Sequence, residues 1–521
     1  MGPMMPPPPP PPSQLMRQRM IKGARRMQDV FPRWLSLYPI VTYILALALV
    51  SLMYLAYAMP WYYVLAGVVS VAVFFYYGNY LAERLSLLRM RKVRSYERRI
   101  FLIALILRVL WMFLILYLFI ENYDNAFGFE NSDAIFYDEI GQFVAVLIDN
   151  GNFHFYDEIS QFSGHDDIAD MGYGVYVGAI YWLTGSEGVE TAQGIRGVIS
   201  SVIILRLLKC ILSAWTVVLI YRLTKRNFDA QTARIAAIFC ALWPNFWYYC
   251  GCHLKETEMV FLCVLFVEQA DQMLRSKQFT AWKVVPVLLI GAALFTFRTP
   301  LALVAFLSLV FSVVMSSTKV VSWRKRIIVG GLAVALVTIT MGNMLQEKAQ
   351  ELYEIAQSDE QEKNMQWRAN DRENANSFAK YAGKSVFAPM IFTIPFPTMV
   401  KPFEGQDVQQ LLNGGNYIKN ILSGFTIFAL VMLLMTGRWR EKLLPLSFVL
   451  GYTVVLAFSS FAQSERFHQP VMPLEFMFAA YGLSIAVTKP KYKRWFMYWC
   501  ILMIIGCIAW NWFKLAGRGL I

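Results

Sequence analysis

Residues 131–142 read Asn-Ser-Asp-Ala-Ile-Phe-Tyr-Asp-Glu-Ile-Gly-Gln, and they follow an apolar run at 101–120, FLIALILRVLWMFLILYLFI. Phe136, Ile140, Phe143, Val144 and Leu147 recur at i, i+4, i+7, i+8 and i+11, which places them in one stripe at helical period. The stretch therefore reads as a short helix lying along a membrane surface just after a span. Asn131 or Ser132 can cap its first turn. Asp133 and Tyr137 stand one turn apart on the same side, and Gly141 a turn later lets a neighbouring segment come close. A carboxylate at a capped helix start is favoured in its ionised form by the helix dipole. Asp133 is then either a cap alone, or a proton acceptor or cation ligand.

Composition decides the class around this helix. The chain has 521 residues, of which 57% are hydrophobic and only 16% charged, more apolar surface than a water-soluble domain needs. About thirteen apolar runs are long enough to span a bilayer, at roughly 20 residues each. The net charge of +13 excludes little by itself, but the basic residues fall in short clusters between apolar runs. That is the pattern of cytoplasmic loops, with no nucleic-acid partner implied. The seven cysteines lie in or at the edges of apolar runs and make no disulfide framework; Cys250 and Cys252 are an exposed pair too close in sequence to bridge.

Residues 1–36 form a disordered N-terminus, a Pro run followed by Arg17, Arg19, Lys22, Arg25 and Arg26 facing anionic lipid in the cytoplasm. No secretory signal of the usual layout is expected there. Residues 37–100 hold a transmembrane hairpin, 37–58 and 61–81, turning at Pro60-Trp61, and then a basic cytoplasmic loop. Residues 101–344 are the transmembrane core, with a first large outer loop at 121–195. Residues 345–418 are a second outer loop or small domain, and 419–521 hold the last transmembrane helices. Basic clusters at 222–226, 275–277, 319–326, 438–442 and 489–494 are separated by pairs of runs, so one orientation satisfies all of them. It places 121–195, 250–256, the turn Arg298-Thr-Pro300, 345–418, 460–470 and the C-terminus outside.

On that outer face stand all four histidines together with Lys255, Glu256, Arg298, Glu465 and Arg466. Lys255 and Arg298 sit in turns with almost no loop, where a charge is held against apolar segments and needs a partner. Lys255, Arg298 and Arg466 together can surround an anion such as a phosphate, Lys as a point charge and Arg as a fork. Taken singly, each also fits a cation snorkelling at a helix end. His154, His165, Asp166, Asp167 and Asp170 match no metal-binding spacing and read as a solvated acidic loop. Phe155-Tyr-Asp-Glu-Ile-Ser-Gln-Phe162 echoes Phe136–Phe143, but Asn152 stands where the first copy has Asp133, so the first copy is the catalytic candidate. No Walker loop, dinucleotide fingerprint or Ser-His-Asp motif occurs.

In order, the chain shows Asp133, Tyr137, Glu139, Ile140 and Gly141 after a span, then Gly172–Trp182, Lys255-Glu-Thr-Glu258, Arg298-Thr-Pro300 and Arg466-Phe-His-Gln-Pro-Val-Met-Pro473. This arrangement, over about 101–487, resembles the GT-C integral-membrane glycosyltransferases, specifically the protein O-mannosyltransferase and aminoarabinose transferase branch (family 39-like). That branch opens its first outer loop with Asp-Glu-x-x-Tyr and carries Arg-Tyr-x-x-Pro-x-x-Pro late in the chain. Here Ala134 replaces the second acid, whose role is absent or moved to Asp138 or Glu139, and two extra runs precede the motif.

The resemblance implies an all-α polytopic membrane protein, a GT-C-like bundle of about 13 transmembrane helices with an outer-face amphipathic helix in the first large loop. It implies sugar transfer, with inversion, from a polyprenyl-phosphate donor to a glycan, lipid or protein acceptor on the periplasmic face of a bacterial inner membrane. Asp133 is then the base, and Tyr137, Glu139, Lys255, Arg298, Arg466 and His468 bind substrate. No cofactor is required, and a divalent metal is left unassigned. Two alternatives stay open: a surface-polysaccharide polymerase or ligase using arginines of 345–418, and a lipid-linked glycan transporter without covalent chemistry. Trp367, Arg368, Arg372 and Tyr381 of that loop are possible acceptor contacts.

Overall fold

The computed structural model describes residues 33–87, 93–128, 132–163, 171–185, 199–276, 281–323, 386–402, 407–459, 461–487 and 491–521, with a few single positions between. The Pro-rich tail, His165, Asp166, Asp167, Asp170 and the four candidate acceptor contacts of 345–418 lie outside the described residues. Most of what is described is helical.

The first helices are α1 (Arg33–Met53), then α2 (Trp61–Ala72) running through a wide π-turn at Val73–Tyr77 into α3 (Gly78–Leu87), and the long α4 (Val93–Tyr123). The hairpin between α1 and α2 turns where expected, with Pro60 preceding Trp61. Three short helices follow: α5 (Ser132–Asp149), α6 (Phe155–Ser163) and α7 (Met171–Thr184). The core then comprises α8 (Ile199–Asn227), α9 (Ala230–Leu242), α10 (Pro244–Cys250), α11 (Glu256–Arg275), α12 (Ala281–Phe297) and α13 (Thr299–Met315). The C-terminal part comprises α14 (Asn413–Met435), α15 (Leu443–Phe458), the single turn α16 (Glu465–His468), α17 (Met472–Ala486) and α18 (Lys491–Ala516).

Among the described residues six stretches are long and apolar enough to cross a membrane, and five more apolar helices are shorter. Among the described residues, some of the runs read from hydropathy are thus shorter and more broken than a full span. Proline is one reason. The run through 230–250 is cut at Pro244, which lacks the N–H that would bond the Cys240 carbonyl. Arg108, wholly buried in α4, supplies the missing donor: its Nη2 reaches Cys240 O at 3.0 Å and its Nε reaches Ser213 Oγ at 2.7 Å. The C-terminal helices also begin earlier than position 419, at Asn413.

The alternating path of the chain is visible in what its ends touch. At one pole Arg226 pairs with Glu268 (2.7 Å) and Asp271 (3.0 Å), and Arg275 pairs with Asp271 and donates to Glu441 O at 2.7 Å. Ser317 N bonds Arg440 O at 3.0 Å there, so the clusters expected on the cytoplasmic side meet each other. Asp229 caps α9 at the same pole through Gln231 N and Thr232 N. At the other pole meet 133, 255, 298 and 466, described below. The 20 residues of α11 connect the two, a length of about 30 Å and the thickness of a bilayer core.

The stripe read on α5 is real: Ile140, Val144 and Leu147 are buried, with Phe136 and Phe143 half-buried. It packs on α7 at a seam of small residues. A Cβ at Gly141 would stand 2.5 Å from Val177 Cγ1, and one at Gly178 2.5 Å from Val144, so glycine sets the spacing of the two helices.

All seven cysteines are unpaired and buried, Cys250 and Cys252 included, in contrast to the exposed pair expected. This permits a clean labelling test. With a cysteine introduced at Gln463 or at Arg440, a membrane-impermeant maleimide applied to one side of sealed membranes labels one variant and spares the other. Labelling of both from the same side would contradict the two-pole topology.

Candidate active site

Arg466, in the single turn α16, is the centre of the site. Its Nη1 donates to Asp133 Oδ2 at 2.5 Å, and its Nε donates to Glu256 Oε1. Burial opposes the Arg466 charge, but the Glu256 and Asp133 carboxylates outweigh it and hold the guanidinium above its usual range. The two acids differ in setting. The Glu256 side chain is 1% exposed and the Asp133 side chain 48%, so Asp133 is the one that a substrate can reach.

Lys255 precedes Glu256 at the start of α11 and is buried, with its Nζ 5.6 Å from the centre of the Tyr137 ring. Burial, with help from the Arg298 charge, pushes the Lys255 amine down to about 7, while Glu256 and Asp133 pull the other way. Arg298 leads into α13 and lays its guanidinium on the Phe467 ring, 4.1 Å from the ring centre. Phe467 is the neighbour of Arg466 in sequence, so the turn at α16 gathers both cations. Tyr137 is buried beside them, and burial followed by the Glu256 charge keeps its phenol protonated.

Asp133, Tyr137, Lys255, Arg298 and Arg466 are thus brought together from four separate segments at one pole. Glu139 and His468 are not. Glu139 is solvent-exposed, because six residues at about 100° each turn it far from Asp133 on the helix. His468 is buried behind the site: Nε2 reaches Ala462 O at 2.9 Å and Nδ1 reaches Lys419 Nζ at 2.7 Å, so neither ring nitrogen is left for substrate. Burial, then the Lys419 charge, keeps the ring neutral. Its role is to position α16.

Two residues of this region, Glu256 and Lys209, escape motif reading, and a third, Asp138, is read from the motif only as a stand-in for the missing second acid. Glu256 appears as part of a Lys-Glu-Thr-Glu string, with nothing in sequence to show that it grips Arg466. Lys209, inside the apolar run of α8, donates to Cys252 O at 3.0 Å and to Leu254 O, fixing the turn that presents Lys255. Its signal was a cation in the middle of a span. Asp138, on α5 with Asp133, is buried, accepts from Gln142 Nε2 at 2.9 Å and from Tyr181 OH, and burial raises its carboxyl to about 6 despite those bonds. The echo segment has no such surroundings: Asn152 bonds Glu158 Oε1 at 2.9 Å and the His154 amide at 3.0 Å, which is local capping.

Asp133 and Arg466 form part of the wall of a cavity of about 600 Å³, within the range of small-molecule sites. Its remaining wall is built mainly of tyrosines, phenylalanines and side-chain amides from 119–128, 248–254, 395–416, 461–467 and 510–514.

Residues 195–341 match the sequence profile of the dolichyl-phosphate-mannose-protein mannosyltransferase family, which is of the GT-C type. The match includes Lys255, Glu256 and Arg298 and stops short of Asp133 and Arg466. No curated protein and no solved structure matches the chain. The profile match supports a GT-C glycosyltransferase, and the helical bundle is that of a polytopic membrane protein.

Arg466→Met strands Glu256 as a buried, unpaired charge and is expected to lower stability by about 3–5 kcal/mol. Adding Glu256→Gln to that variant restores most of the loss. Thermal unfolding in detergent reads both effects; an undiminished melting temperature for the single variant would contradict the buried ion pair.

Proposed function

We propose that this GT-C glycosyltransferase moves a sugar from a polyprenyl-phosphate carrier to an acceptor hydroxyl, with inversion, on the periplasmic face of a bacterial inner membrane. The observation that supports the reading is the exposed Asp133 carboxylate held by Arg466 at the cavity wall, with Arg298 and Lys255 directly behind. The basic clusters gathered at the opposite pole support the orientation.

The acceptor oxygen attacks the anomeric carbon, its proton passes to Asp133 Oδ1 or Oδ2, and the bond from the anomeric carbon to the phosphate oxygen breaks. The carrier leaves as a polyprenyl phosphate with one more negative charge than it had in the donor. The sugar passes through an oxocarbenium-like state, so an ionised base in place and a cation at the leaving group both lower the barrier. The two roles are linked through one guanidinium. When Asp133 takes the proton, Arg466 loses one of its two anionic partners and turns its charge to the departing phosphate. Arg298, stacked on Phe467 of the cavity wall, adds a second positive charge behind it. Lys255, being buried, acts through its field, and an arriving phosphate favours its protonated form. The reaction as written needs no cofactor.

The test is transfer from a radiolabelled polyprenyl-phosphate-sugar pool in membranes holding the wild-type chain or Asp133→Asn at matched levels. Wild-type membranes move label off the carrier, and the variant is slower by at least about 100-fold, the usual minimum for a lost general base. Equal rates would remove Asp133 from the mechanism.

A further inference from the structure

The cavity has two chemically different ends. The end described above is ionic. The other is formed where 393–401, a segment without regular structure, is strapped to the last helices. Lys419 Nζ bonds Ile394 O, Asn420 Nδ2 bonds Thr393 O and Pro395 O, and Asn511 exchanges bonds with Met399 N (2.7 Å) and Pro397 O (3.1 Å). Asn413 does the same for Thr398, accepting from its N–H and donating to its carbonyl, both at 2.9 Å. Side chains thus satisfy an irregular backbone that would otherwise be unpaired beside the cavity.

Besides Asn413, two further buried amides stand in this wall, and each has its oxygen already engaged. Gln410 Oε1 accepts from Asn413 Nδ2 at 2.7 Å, and Asn416 Oδ1 accepts from Asn245 Nδ2 at 2.9 Å. Their NH₂ groups are the ends offered to a ligand. Tyr248, Tyr249 and Trp510, all buried, line the same space, and Lys514 lines it too, its Nζ 4.9 Å from the centre of the Trp510 ring. Fixed NH₂ donors suit the oxygens of hydroxyl groups, and aromatic faces suit the C–H faces of a sugar ring. An alkyl chain gains nothing from buried amides, which lose water without a partner.

We propose that the wall formed by Gln410, Asn416, Tyr248, Tyr249 and Trp510 is the acceptor subsite, and that the acceptor is a carbohydrate. This rests on the transferase reading above, since that reading puts the base, Asp133, at the same cavity. The acceptor sugar lies on the aromatic wall, held by the two amides, with one hydroxyl at Asp133. The donor phosphate then occupies the cationic side.

The test uses the full-length chain in detergent and a panel of free tri- and tetrasaccharides, with tryptophan fluorescence as the binding signal and no donor present. Some oligosaccharide is expected to bind, and Gln410→Ala or Asn416→Ala weakens it about tenfold, the equivalent of one hydrogen bond lost in a formed site. With labelled donor added, the same oligosaccharide receives sugar, and the amide variants raise its KM while leaving the donor KM unchanged. Binding without any transfer would uphold the subsite and sink the transferase reading. No oligosaccharide binding, preferred transfer to a serine peptide or a lipid alcohol, or a donor KM that moves in the amide variants would overturn the subsite.

Discussion

Everything at the functional pole depends on one guanidinium. Arg466 ties Asp133, from the first outer loop, to Glu256, at the start of a core helix, and does so from a turn in the last third of the chain. These residues are separated by more than a hundred positions in sequence, so the contact exists only when the bundle has closed. Its asymmetry is what makes it useful. Glu256 is sealed against Arg466, whereas Asp133 is half open and stands where a ligand can reach it.

The bundle supports that centre with cations used in an unusual way. Arg108 and Lys209 lie in apolar helices, and the atoms they reach are mainly backbone carbonyls at places where helices break, at Cys240 above Pro244 and at Cys252 and Leu254 before α11. In hydrocarbon such carbonyls have no water, so a charged donor from a neighbouring helix is worth its own burial. The breaks are needed: a continuous helix through 240–256 would leave no turn to present Lys255 and Glu256. Lys419 and the neighbouring asparagines do the same for 393–401. Among the described residues, the irregular segments 251–255 and 393–401 contribute to the walls of the site.

Much of this was legible in sequence because the signals were local. Apolar length, basic clusters and the helical stripe on α5 depend on composition and period, and they located the poles, the short surface helix and the cations 255, 298 and 466. Gly141 was read as a close-approach site, and Val177 stands where its side chain would be. What was missed depended on long-range contact. Nothing local distinguishes Glu256, which holds Arg466, from Glu139, which faces solvent. His468 sits in the same short motif as Arg466, yet a separation of two residues, about 200° of helix, puts the arginine at the cavity and the histidine behind it. A run of apolar residues also does not show that proline divides it, as at Pro244, or that a buried arginine has repaired the division.

The central claim is that Asp133 and Arg466 act as one unit, and a double-mutant cycle on the sugar-transfer rate measures that directly. Asp133→Asn, Arg466→Lys and the double variant are compared with wild type at saturating donor and matched protein levels. If the two residues form one catalytic device, the double variant is about as slow as the slower single variant, as in other non-additive catalytic groups. If the two losses multiply, the residues act independently, and the linkage between proton uptake and phosphate release is wrong.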